Sequence, residues 1–173
     1  MSQPAYDVLL VAHVLSAVLG FGAIAIAGGE ASSARRSADP ASDEGVRRFF
    51  KPGRDWPART ILFVPVLGLG LLFGGDRPDV RAVWPWIGLG IWVVAVGVAT
   101  AVCWPAERSA QLALSALVDS GAAAEATPAD GSPEASTPLI EDFRLACRRM
   151  ELAAGAISLC FFAAVVVMVA QPK

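Results

Sequence analysis

The sequence predicts an all-α fold, a bundle of four transmembrane helices, and three observations predict it. First, four stretches are apolar and near the length that crosses a bilayer: Tyr6 to Gly29, Arg59 to Gly75, Ala82 to Pro105 and Leu152 to Gln171. A hydrocarbon core takes about 20 helical residues, and the second stretch stands near the lower limit of about 17. Second, 55% of residues are hydrophobic and only 17% are charged, where a soluble domain carries about 25%. Third, the basic residues are one-sided. With the loops assigned alternately to two sides, Arg35, Arg36, Arg47, Arg48, Lys51, Arg54, Arg59, Arg108, Arg144, Arg148 and Arg149 fall together. Only Arg77, Arg81 and Lys173 fall opposite, so eleven of the 14 Lys and Arg share a side. Basic residues are retained in the cytoplasm, which puts both termini outside and the two longer loops inside. Four spans and two loops use all 173 residues as one membrane domain. The net charge of −2 averages over two compartments, and no basic stripe beyond the membrane loops points to a nucleic-acid partner.

Span 1 begins without a basic residue; nothing before Arg35 is basic and Asp7 is acidic. A secretory signal starts with a basic region, so this segment reads as a retained span despite the small residues Ala25-Ile26-Ala27. Tyr6, Trp56, Trp84, Trp86 and Trp104 stand at span ends, where aromatic rings prefer the headgroup level. Trp92 falls mid-span, which predicts packing against another helix or a ligand. In span 2, Pro65 removes one backbone hydrogen bond and predicts a kink, with Gly68 adding to it. The breaker-rich turn Gly74-Gly75-Asp76-Arg77-Pro78-Asp79 makes spans 2 and 3 antiparallel neighbours. Close helix approach in a bilayer uses small residues: Ser16 and Gly20, Gly70 and Gly74, Gly90 and Gly97, and Ala153-Ala154-Gly155-Ala156 are the expected faces. The Gly70 and Gly74 pair reads as packing within the bundle rather than as a dimerisation face.

The two inner loops differ. Arg47, Arg48, Phe49, Phe50, Lys51, Arg54 and Trp56 interleave basic and aromatic residues beside a span, the pattern of a segment lying on anionic lipid headgroups. The stretch 107–120 continues span 3 as a helix into the cytoplasm, with Leu114, Leu117 and Val118 on one side. Residues 121–138 are small and Pro-rich and read as a flexible linker.

Candidate chemistry centres on His13, the single histidine and the one ionisable group well inside a span. Ser16, Ala17 and Gly20 share its helical face. Intramembrane ionisable groups default to a functional hypothesis, and three readings compete: a haem or copper ligand, a proton-accepting group, and a neutral imidazole hydrogen-bonded to another helix. One histidine excludes bis-imidazole haem ligation within the chain; Met168, in the outer half of span 4, is the candidate second ligand. Cys103, Cys147 and Cys160 form no metal pattern, and no Cys-x-x-Cys, phosphate loop, nucleophile elbow or metalloprotease motif occurs. Glu30, Glu107 and Glu151 stand at the cytoplasmic ends of spans beside Arg35, Arg108 and Arg148, as interfacial ion pairs do.

The runs Ala12-His13-Val14-Leu15-Ser16-Ala17-Val18-Leu19-Gly20-Phe21-Gly22, Arg48-Phe49-Phe50-Lys51-Pro52-Gly53-Arg54-Asp55-Trp56-Pro57-Ala58-Arg59 and Val64-Pro65-Val66-Leu67-Gly68 resemble a bacterial integral membrane family known as domain of unknown function 2269. Trp84-Pro85-Trp86 and Trp104-Pro105-Ala106-Glu107-Arg108 fit the same pattern. The resemblance implies four spans and a bacterial inner membrane, and no activity. A fainter likeness, to the four-helix copper-resistance and protoporphyrinogen-oxidase membrane families, rests on a His early in span 1 followed by small residues; those families look like haem or metal binders with further His ligands, which this chain lacks. The expected function is therefore that of a non-enzymatic membrane protein, an accessory subunit or small-ligand binder associating with other membrane subunits or with itself. The alternative is a redox protein holding haem b or copper through His13.

Overall fold

The structure is a computed structural model that describes residues 2–51, 56–74, 82–126 and 136–170. Every regular element among them is helical. The helices are α1 (Gln3–Arg36), α2 (Glu44–Phe49), α3 (Phe63–Gly74), α4 (Trp84–Val98), α5 (Trp104–Ala126) and α6 (Ser136–Ala170). A 3₁₀ segment, Trp56–Leu62, leads directly into α3, and a π-helical turn, Ala99–Cys103, joins α4 to α5. Three helical runs are long and apolar enough to cross a membrane, Gln3–Arg36, Trp84–Gly121 and Thr137–Ala170, with a shorter apolar helix over Ala58–Gly74. The chain is a multi-pass membrane protein. At 1.5 Å per residue the 34 residues of α1 reach about 51 Å, well beyond a hydrocarbon core of about 30 Å.

Two prolines explain the two departures from α geometry. Pro65 sits in the first turn of α3, so the carbonyl four residues earlier, on Ile61, loses its α-helical donor. The helix type changes just before this proline, 3₁₀ up to Leu62 and α from Phe63. Pro105 likewise leaves the Ala101 carbonyl without its α partner, and that residue lies inside the π turn.

Contacts divide the chain into two compact units, where the sequence suggests one membrane domain with loops. The first comprises 1–25, 55–98 and 155–173; the second comprises 26–54 and 99–154. In the first unit, α1 meets the 3₁₀ segment at Gly20, where a Cβ would lie 2.6 Å from the Ile61 nitrogen and 2.8 Å from its Cα. Only glycine permits that approach. Phe21 packs on Phe161 with ring centroids 5.0 Å apart. Gly70 faces Leu9 of α1, so this glycine packs within the chain as expected. Gly90 and Gly97 do not form the expected face: a Cβ at either would meet nothing within 4 Å. Many large apolar side chains of this unit are exposed, Val8, Val11, Leu15, Phe63, Val93 and Phe162 among them, which suits a lipid solvent.

The second unit has a core of its own. Ala31 and Ala34 of α1, Val46 and Phe50 at α2, Ala110, Leu114 and Leu117 of α5, and Phe143, Cys147 and Met150 of α6 form one buried cluster. Alternating small and large residues lets these helices approach. Gly28 packs against Ala154 in the same way. Helix α2 forms because Asp43 caps it, accepting from the backbone N–H of Gly45 at 3.0 Å and of Val46 at 3.3 Å. Ser37 donates to the other Asp43 oxygen at 3.2 Å. The predicted helical continuation of span 3 is present as α5, with Leu114 and Leu117 buried. Both ends of the expected linker are helical instead: α5 runs to Ala126 and α6 starts at Ser136, while 127–135 lie outside the described residues. Span 4 is correspondingly the second half of a 35-residue helix.

Candidate functional site

The first unit contains a cavity of about 430 Å³ between α1, α3, α4 and the end of α6. Tyr6, Leu10 and His13 of α1 line it with Pro65, Gly68 and Leu72 of α3, Trp84, Trp86 and Trp92 of α4, and Met168 of α6. A second, smaller cavity of about 150 Å³ shares the wall made by His13, Val64, Gly88, Trp92 and Met168, and is closed by Phe21 and Phe161. Both candidate ligand residues, His13 and Met168, thus line the same two cavities.

The position of His13 follows from the glycine opposite it. Gly68 has no side chain, and a Cβ there would stand 3.0 Å from His13 Cε1 and 3.4 Å from Nδ1. The imidazole occupies that gap, and Nδ1 lies 2.9 Å from the Val64 carbonyl oxygen. A carbonyl only accepts, so Nδ1 carries the proton and donates. Such a bond fixes the tautomer and leaves a lone pair on Nε2. Ser16 turns back on its own helix and donates to the His13 carbonyl at 2.8 Å, so it is not the ring's partner. The ring is thus hydrogen-bonded to another helix, through the Val64 carbonyl of α3.

Trp92 holds the other side of the pocket. Its indole Nε1 donates to the Ile61 carbonyl at 2.8 Å. That carbonyl is the one Pro65 deprives of an α-helical donor, so the proline and the tryptophan form one device: Pro65 frees an acceptor and Trp92 takes it. The mid-span tryptophan packs against a neighbouring helix and lines the pocket, as its position suggested. Trp84 and Trp86, read from the sequence as interfacial anchors, are pocket walls as well. A Trp-Pro-Trp run at a span end carries no signal that separates the two roles.

No group of three or more His, Cys, Asp or Glu able to hold a metal exists among the described residues. Cys103 and Cys147 are buried free thiols, and Cys160 is half-buried. Glu151 does not pair with Arg148 as its neighbourhood in sequence suggested. It accepts from Ser32 at 3.0 Å and bonds Arg35 at 3.3 Å, tying α1 to α6 within the second unit.

The basic and aromatic segment is split by the fold. Arg47, Arg48 and Lys51 are exposed, as a headgroup-facing role needs. Phe50 is not lipid-facing: it is 3% exposed, edge-on to Phe143 at 5.4 Å and to Phe49 at 5.0 Å. Helix α2 is only six residues long, so its apolar residues turn inward to the unit's core while its basic ones stay out. Arg54 lies outside the described residues; Trp56 opens the 3₁₀ segment.

No protein-family model, curated protein or solved structure matches this chain. The resemblance to the domain of unknown function 2269 family therefore rests on the sequence runs that carry it.

Proposed function

We propose that this chain is a non-enzymatic, multi-pass protein of the bacterial cytoplasmic membrane, both termini outside, that binds a small, largely apolar ligand beside His13. The observation that carries the reading is the 430 Å³ cavity, walled by three tryptophans and holding one oriented imidazole. Ligand sites are mostly apolar concavities with a few polar groups that fix orientation. An imidazole turned by a backbone carbonyl is such a group. The side assigned to each loop follows from the basic residues: the segments with Arg35, Arg47, Arg48, Arg144, Arg148 and Arg149 face the cytoplasm. The exposed Arg47, Arg48 and Lys51 meet anionic headgroups, each worth about 1 kcal/mol near the surface. Mass spectrometry of the protein released intact from native membranes tests the reading. One small organic molecule per chain is expected, lost in a Gly68→Leu variant that fills the pocket wall. A wild-type protein and a variant with the same bound species would overturn it.

The redox alternative, haem b or copper on His13 and Met168, draws on the shared pocket of those two residues. A visible absorbance spectrum separates the readings. A band that His13→Gln removes would establish the alternative, and a featureless spectrum supports the lead.

A further inference from the structure

The pocket's polar groups are unbalanced, and the imbalance points to a ligand class. Tyr6 has a hydroxyl that both donates and accepts, the tryptophans are donors only, and Trp92 already spends its N–H on Ile61. His13 spends its one proton on Val64. What remains on the ring is an acceptor, the Nε2 lone pair, which no described group takes. Nor is it sealed in: among the described residues, the buried side-chain polar atoms without partners are Arg35 Nε and Trp104 Nε1, both in the other unit. Among the described residues, no Asp, Glu, Lys or Arg lines the cavity to hold a charged imidazolium, and an unpaired charge there would be costly. Three tryptophans share the cavity wall with this acceptor.

We infer that the ligand is a hydroxyl-bearing aromatic molecule, a phenol or hydroquinone, whose O–H donates to His13 Nε2 while its ring packs against Trp84, Trp86 and Trp92. The inference rests on the small-ligand reading and names its substrate class. A ligand with only carbonyl acceptors, such as a quinone, leaves the Nε2 lone pair unused and has to take its hydrogen bonds from Tyr6 or a tryptophan instead. At His13 the site thereby favours a hydroxyl form over a carbonyl form of one ring system.

The test compares para-hexylphenol with hexylbenzene, binding measured on the full chain in nanodiscs against empty nanodiscs at equal mole fraction in lipid. Hydrogen bonds inside a membrane correspond to about a threefold to thirtyfold preference, so hexylphenol should bind saturably and tighter by that factor. His13→Phe should equalise the two probes. Equal affinities on the wild-type protein would overturn the hydroxyl inference and leave the pocket reading standing. Saturable binding of neither probe would overturn both. The wild-type comparison decides alone, so a variant that fails to fold does not disarm it.

Discussion

Single residues at two contacts set the geometry of the pocket. Gly68 makes room for the imidazole, with a Cβ position only 3.0 Å from Cε1. Gly68→Ala should therefore push the ring off the Val64 carbonyl; we predict a lower melting temperature in detergent and loss of the preference for a hydroxyl probe. An unchanged melting temperature and preference would show that the ring moves aside freely. His13→Leu, by contrast, removes a hydrogen bond worth about 0.6 kcal/mol in a membrane and leaves the Val64 carbonyl its intrahelical partner, so thermal stability should fall only slightly. The isolation of His13 was legible in the sequence, because an ionisable group inside an apolar run is rare whatever surrounds it. Its partner was not, because backbone carbonyls carry no sequence label.

Helices show the same division between what pattern reveals and what packing decides. Pro65 announced a broken hydrogen bond, but only the fold pairs the freed Ile61 carbonyl with Trp92, 31 positions on. This coupling gives a double-mutant prediction. Trp92→Phe should cost about 1 kcal/mol in the wild-type background, since it strands an acceptor. It should cost measurably less alongside Pro65→Ala, which returns an N–H to that carbonyl. Equal costs in both backgrounds, measured by thermal melts, would refute the pairing. In α2 the sequence misled. Interleaved basic and aromatic residues suggested one lipid-facing strip, yet a six-residue helix capped by Asp43 turns Val46 and Phe50 inward. Phe50→Ala should thus destabilise the protein by about 3–5 kcal/mol, while Arg47→Ala should alter stability by under about 0.5 kcal/mol. Similar small effects from both, in one set of melts, would restore the lipid-facing reading of Phe50.

Across the whole molecule, hydropathy made the membrane class and the three long spans plain, because lipid leaves no other home for such runs. Two compact units were not legible. The second core includes Ala31, Ala110, Phe143 and Cys147, and helices α1 and α6 each contribute residues to both units, so no loop marks a boundary. The one-sided basic residues carry a prediction at this scale: a reporter active only in the cytoplasm, fused after Lys173, should be silent, and strong activity would invert the topology. The central claim, a bundle that presents one oriented acceptor to a small ligand, is tested most directly by nitrogen-15 NMR of histidine-labelled protein in lipid bilayers. The chain has a single histidine, so every signal belongs to His13. The account predicts one protonated nitrogen, Nδ1, and one bare nitrogen, Nε2, whose resonance moves as para-hexylphenol is added. Two protonated nitrogens, a bare Nδ1, or a spectrum unchanged by the probe would contradict it.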